Sequence, residues 1–385
     1  MKKLAVFFDG TWNREDQHDR NGRSCPTNIT KLFEAALPAD KQDMPQLVQY
    51  IRGVGTRQSE RLKGGGFGYG ISDNIKEGYR FLVSNYETGD EIFIFGFSRG
   101  AYAARSLAGL IRNSGILKRE KIYLIDRAYE IYKDKSPDWH PDASAAQAFR
   151  QEHTRGNETV KFLGVFDTVG ALGMPFGVIL GSIADKLFKT GFHDTQLSSI
   201  IESAYHALAV DERRLPFQPT LMSPGSRHNP SNFEQQWFPG VHSNIGGGYD
   251  STGLSDLALE WMAGKAAAQG LNLDLGRISN PAFSPDVQEM PRNSLKISYR
   301  ILTVLLVKLP GLAGWVPDKY KNVLPDLTWT GEYVRPIADK GNIQPFIGNP
   351  PAQPVQEYTG SLDSSVIQKI NHSNQKYRPS NVIDK

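Results

Sequence analysis

Cysteine is nearly absent: Cys25 stands alone in 385 residues. One thiol builds neither an intrachain disulfide framework nor a cysteine-based zinc site. Net charge is also scarce. Forty-four Lys and Arg face 41 Asp and Glu, leaving +3. So small a value for this length gives no global field for nucleic acid, and no nucleic-acid partner is expected. Long apolar runs are missing too. The longest, 301–316, is interrupted by Lys308 and Pro310 and falls short of the ~20 apolar residues of a spanning helix. The N-terminal apolar run, 4–8, ends at Asp9 and is too short for a signal-peptide core. The expectation is a soluble chain, cytoplasmic as synthesised, whose export would need a route without an N-terminal signal. No H-E-x-x-H pattern occurs, and the glycine-rich run 64–70 is not followed by G-K-[ST]. Neither a metal ion nor a nucleotide or other cofactor is expected.

What is present reads as alternating strands and helices. Residues 4–8, "LAVFF", form a continuous apolar run with a sharp exit at Asp9-Gly10. The pattern then predicts an amphipathic helix opened by Thr27 or Asn28, a strand at 46–51, and a helix with Ile71, Ile75, Tyr79 and Leu82 on one face. A third strand, 91–95, runs into Gly96-Phe97-Ser98-Arg99-Gly100, and a helix follows to about Asn113, with Gly115 placed to end it. Residues 118–157 read as helical surface. Residues 160–166 are a strand ending in Asp167-Thr168-Val169-Gly170, the stretch "LSSIIESAYHALAV" reads as a helix, and 233–240 read as the last strand. This rhythm predicts an α/β fold with a mainly parallel central sheet and helices on both faces. Two regions break it. Residues 171–199 read as a cap or lid insertion in a catalytic domain spanning 1–280. Residues 281–385 read as a C-terminal extension packed on that domain.

Gly96-Phe97-Ser98-Arg99-Gly100 matches the nucleophile elbow G-x-S-x-G. The pattern alone is common, but the elbow requires a strand before it and a helix after it, and both are predicted here. Such a turn lifts the serine above the sheet and aims the next amide, that of Arg99, at a developing oxyanion. A plain βα turn holding an incidental serine is the alternative.

An α/β-hydrolase sheet makes further demands: a second oxyanion donor from an earlier loop, then an acid, then a histidine, in chain order. Gly10 and Thr11 supply the loop, with Asp9 as a brace that accepts hydrogen bonds. Asp167 leaves a strand after the elbow and is the candidate acid. Asp211, Asp250 and Asp256 compete, the last two also as groups that could orient a histidine ring. His242 follows the last predicted strand among glycines and is the candidate base. His206 is its main rival, placed within the predicted helix.

The segments "FFDGTWN", "EIFIFGFSRGAYAARSLAGLI", "FLGVFDTVGALG", "YHALAVDERRLPFQP" and "WFPGVHSNIGGGY" together resemble one family. It is the α/β-hydrolase domain of bacterial type VI secretion phospholipase effectors, part of a large and mostly uncharacterised domain family. The resemblance covers about residues 1–271, and "SSVIQKINHSNQKYRPSNV" resembles a degenerate form of the family's closing segment. It implies that the elbow serine is Ser98, the D-T-V-G aspartate Asp167, and the G-V-H-x-x-I-G-G-G-Y histidine His242. Asn244 stands where the family usually has aspartate. The implied activity is a serine esterase, phospholipase A or lipase in type, acting as an antibacterial effector. Implied partners are a phospholipid or other acyl ester, a secretion-system protein and an immunity protein. The apolar stretches 174–184 and 301–316 suit a lid or a peripheral membrane contact, and equally a core. A carboxylesterase for small esters, and a non-catalytic module binding a lipid or partner, are the other readings.

Overall fold

The computed structural model describes residues 1–56, 67–156, 158–169, 197–214, 217–223 and 232–278, except 20 and 41. Beyond 278 it describes 285–286, 289–292, 294, 337–338, 358–359, 361–362 and 366. The chain begins with β1 (Lys3–Phe8), α1 (Asn28–Ala35), β2 (Gln46–Ile51) and α2 (Phe67–Asn85). Next come β3 (Glu91–Phe97), α3 (Arg99–Ser114), α4 (Ile125–Lys133) and α5 (Ser144–His153). Then follow β4 (Phe162–Phe166), β5 (Ala204–Ala209), β6 (Phe233–Phe238), α6 (His242–Gly246), α7 (Gly253–Ala268) and α8 (Leu275–Ile278).

The six strands pair in the order β2-β1-β3-β4-β5-β6, with the two-residue strand Ser361–Leu362 beside β6. Every pairing is parallel. Parallel strands are buried on both faces and so read as unbroken apolar runs. β1 shows this: all six of its residues are buried. Leu4, Val6 and Phe8 pack with Ile75, Tyr79 and Leu107 on one face, while Ala5 and Phe7 pack with Ile29, Leu32 and Leu259 on the other. α2 and α3 thus cover one side, and α1 and α7 the other.

Local signals set the helix ends. Thr27 accepts from the Thr30 amide at 3.1 Å and caps α1. Gly115, at φ 70, ends α3 by donating to the Ile111 carbonyl.

One element departs from the sequence reading. The stretch expected as a helix contains β5, whose six residues are all buried. Leu197, Ile200, Ile201, Ala204 and Leu208 recur at helical spacing, but among them only 204–209 form a regular element, β5, which pairs with β4 on one side and β6 on the other. A short apolar run is ambiguous by periodicity alone. Here pairing on both sides, with β4 and with β6, satisfies the backbone as a strand. The proposed lid lies outside the described residues except for 197–199. Nearly all of the proposed extension, and both apolar stretches 174–184 and 301–316, lie outside them too.

Aromatic rings tie the central strands together. Phe95 is fully buried, stacks on Phe7 at 4.9 Å and meets Phe162 at 5.2 Å. Phe95→Ala should lower the unfolding free energy in urea by about 3–5 kcal/mol. A loss under about 1 kcal/mol would mean that this stack is not part of the stabilising core.

Candidate active site

The C-terminal ends of β1, β3, β4 and β6 carry the chemistry-bearing residues. Between β3 and α3, Ser98 has φ 58 and ψ −120, a region that side-chain-bearing residues rarely enter. The flanking glycines make the turn possible. A Cβ on Gly96 would lie 2.5 Å from the Gly100 carbonyl oxygen, and one on Gly100 would lie 2.3 Å from that of Phe8. The start of α3 therefore sits against the end of β1. The Ser98 amide donates to the Phe166 carbonyl at 3.0 Å, which holds the turn beside the end of β4. The Ser98 hydroxyl makes no capping bond to the helix it precedes.

Asp167 follows β4 directly and is fully buried, at φ 39. Its amide donates to the Ala207 carbonyl at 2.7 Å, and its Oδ1 accepts from the Ala209 amide at 3.0 Å. Its Oδ2 lies 2.6 Å from His242 Nδ1. A carboxylate accepts, so Nδ1 carries the proton and Nε2 keeps its lone pair.

His242 is the first residue of α6 and is buried. Phe97 lies 4.7 Å from its ring, and Phe217 meets it edge-on at 4.9 Å. Burial pulls its pKa below the ordinary imidazole value. The Asp167 hydrogen bond and charge oppose that, and the balance stays downward. The neutral, proton-accepting form is therefore favoured.

Glu212 was not singled out by the sequence reading. It is buried, accepts from the His242 amide at 3.2 Å, and binds Arg214 through Nε at 2.9 Å and Nη2 at 2.8 Å. Arg214 in turn lies over Phe217, 3.5 Å from the ring centroid. The available signal was the charged cluster Asp211-Glu212-Arg213-Arg214 placed directly after a buried apolar strand.

The competing acids serve elsewhere. Asp211 accepts from the Gly240 amide at 2.6 Å and holds the loop before His242. Asp250 pairs with Arg292. Asp256, expected as a possible orienting group, meets Lys31 at 2.5 Å and Thr252 at 2.7 Å, while His242 Nδ1 is taken by Asp167. Asn244 accepts from the Val241 amide at 3.2 Å, a bond that needs no charge. His206 lies in β5 rather than a helix, and its Nε2 accepts from the Thr168 amide at 3.1 Å.

The loop after β1 corrects one expectation. Gly10 was read as an oxyanion donor, but its amide donates to Asp9 Oδ1 at 2.6 Å. An amide turned into a buried carboxylate is not available to substrate. Thr11 is the remaining candidate of the pair; its amide makes no hydrogen bond among the described residues, and its hydroxyl is buried without a partner. Asp9 Oδ2 also accepts from Tyr50 at 2.5 Å and Thr27 at 2.8 Å. Asp9 thus ties Gly10, Thr27 and Tyr50 together beneath the loop. Among the described residues, no cluster of His, Cys, Asp or Glu could hold a metal ion, and no helix is long and apolar enough to cross a membrane.

Comparison with known proteins gives the chain relatives. The family model described as "T6SS, Phospholipase effector Tle1-like, catalytic domain" matches residues 2–265. The uncharacterized protein YEL023C of Saccharomyces cerevisiae is 29% identical over 244 residues, 58% of this chain and 33% of its own length. The chain therefore spans about a third of that curated relative. The crystal structure of an uncharacterized protein from Pseudomonas aeruginosa is similar with a TM-score of 0.44 at 17% identity, over 85% of this chain and 57% of that one. The structure of the Tle1 effector bound to the VgrG spike from the type 6 secretion system is similar with a TM-score of 0.36 at 23% identity, over 65% and 51%.

The buried brace has a measurable signature. Burial raises the Asp9 pKa from 3.8 to about 6, against the opposing bonds from Tyr50, Thr27 and Gly10. A raised folded-state pKa means that the native state holds the proton more tightly than the unfolded chain. The contribution to stability is fully present below pH about 4 and is lost as pH rises through about 6. At about 1.4 kcal/mol per pKa unit, the loss is about 3 kcal/mol. The stability advantage of the native chain over Asp9→Asn should shrink by that order between pH 4 and 7. A constant difference across that window would show that Asp9 is ionised throughout.

Proposed function

The chain belongs to the type VI secretion Tle1-like phospholipase effector catalytic-domain family, and from that premise we propose that it is a serine esterase cleaving acyl esters of phospholipids. Ser98 Oγ attacks the acyl carbonyl. His242 Nε2 takes the hydroxyl proton and passes it to the leaving alcohol. Asp167 keeps Nδ1 protonated and stabilises the imidazolium that forms. The amides of Arg99 and Thr11 receive the oxyanion, and the N-terminal end of α3, a helix of 16 residues, adds its dipole there. Water, activated by the same imidazole, then releases the fatty acid from Ser98.

One observation carries this reading. A serine in a strained backbone conformation follows β3, beside the strand that delivers Asp167, buried and 2.6 Å from His242. Strain at a non-glycine residue persists where the surroundings enforce it, and such positions concentrate at functional sites. Trp12, 50% exposed immediately after Thr11, supports a lipid rather than a small soluble ester. As a member of that family, the chain would act as a secreted effector. The spike-bound Tle1 effector suggests the class of its secretion partner, and the producing cell would need an immunity protein.

Ser98→Ala should reduce ester turnover by about 10³-fold or more without lowering thermal stability. A fluorophosphonate should label the native chain at Ser98. Unchanged turnover in Ser98→Ala would overturn the serine assignment, and a native chain with neither turnover nor label at Ser98 would leave a non-catalytic binding module. Phospholipid vesicles tested beside short-chain soluble esters decide the substrate, and hydrolysis confined to the soluble esters would indicate a small-ester carboxylesterase. The pH profile is a separate check. Activity requires neutral His242, whose pKa is lowered by burial. The acidic limb of kcat/KM should therefore fall below pH 6.5, with activity rising toward neutrality. A limb above 6.5 would contradict the assigned base.

A further inference from the structure

Asp167 sits at φ 39, a region that side-chain-bearing residues seldom enter though aspartate tolerates it better than most, and its surroundings hold it there. Three of those contacts come from β5. The Ala207 carbonyl takes the Asp167 amide, the Ala209 amide reaches Oδ1, and His206 Nε2 takes the Thr168 amide at 3.1 Å. The last is the only one of the three to which β5 contributes a side chain. It grips the peptide that joins Asp167 to Thr168, the unit that must rotate if the kink relaxes. The Thr168 hydroxyl is buried and makes no hydrogen bond among the described residues, while the Thr168 carbonyl, on the far side of the residue, accepts from the Thr220 amide at 2.8 Å.

His206 is itself held in one protonation pattern. It is fully buried, and its Nδ1 lies 3.2 Å from Gln235 Oε1. Because Nε2 accepts, Nδ1 must carry the proton. Gln235 cannot turn its amide over without loss. Its Oε1 also accepts from the Met222 amide at 2.8 Å, and its Nε2 donates to the Met222 carbonyl at 3.0 Å. The backbone of Met222 thus sets the glutamine, the glutamine sets the tautomer, and the tautomer sets the lone pair that faces Thr168.

We propose that His206 is a positioning residue for Asp167, acting through the Thr168 amide with its tautomer selected by Gln235. The inference rests on the reading of Asp167 as the acid that orients His242. A residue serving only to fill the core would be replaced well by leucine. A positioning residue would not be, because leucine offers no acceptor. Glutamine can reproduce both contacts, giving its oxygen to Thr168 and its NH₂ to Gln235. Asparagine is polar but one methylene shorter and does not reach.

The test measures a soluble p-nitrophenyl ester with the full chain carrying H206L, H206Q or H206N. H206L and H206N should lower kcat by about 100-fold with KM nearly unchanged, the scale of a misplaced catalytic group. H206Q should recover most of that loss. In a D167N background, H206L should cost no more than about twofold further, because the effect passes through Asp167. If H206L does not fold, the contrast between H206Q and H206N carries the same test. Equal loss in H206Q and H206N, or an undiminished cost of H206L beside D167N, would overturn the proposal in favour of packing. S98A in the same assay separates the premises. Full activity in S98A overturns the serine mechanism and this inference with it. An inactive S98A beside native rates in H206L and H206N overturns the positioning role alone.

Discussion

The register of β3 on β4 is the constraint from which the site follows. Phe97 pairs with Phe166, so the next residues in each strand, Ser98 and Asp167, leave the sheet side by side. Phe166 pairs in turn with Ala207, and Ala209 with Phe238, which brings the Asp167 turn, the end of β5 and the loop to His242 to one edge. A shift of one residue in any of these pairings would send side chains fitted to one packed layer into the other and move Ser98, Asp167 and the loop to His242 out of line. The apolar residues on both faces, not the polar residues of the site, enforce that register.

Burial on both faces also dictates how the site handles charge. Asp9, Asp167, Glu212 and Asp256 are all buried carboxyl groups, and each is met by hydrogen-bond donors. Their solutions differ. Asp256 and Glu212 have cationic partners in Lys31 and Arg214. Asp9 is served by hydroxyls and an amide, which do not offset burial, and its pKa rises to about 6. Asp167 accepts from an amide and an imidazole. These environments separate a structural acid from the one that can share its charge with a histidine.

Much of this was legible in the sequence because it rests on local rules. The elbow needs two glycines at fixed spacing, strand exits need a turn, and α3 needs a stop at Gly115. The residues of the Asp–His pair followed from chain order and from lying just past apolar runs. Other features depend on contacts distant in sequence and had no local mark. β5 carries helical spacing and becomes a strand only because β4 and β6 flank it. Gly10 and Thr11 look equivalent as turn residues until the direction of one amide is known. Glu212 carries no local mark that separates it from its charged neighbours, and only its burial with Arg214 beside the His242 amide sets it apart. His206 stood out as a rival base, whereas its lone pair is committed to Thr168.

Two aromatic rings bound the imidazole of His242, and one of them, Phe97, is the last residue of β3. Turning the imidazole over would require displacing a ring anchored in the sheet itself. With Nδ1 also tied to Asp167, the side chain keeps few rotational states in the folded protein. The entropy of fixing it is lost once, when the chain folds, and not again with each molecule that enters. The aromatic packing that closes the core therefore also keeps one nitrogen aimed in one direction before any ligand arrives.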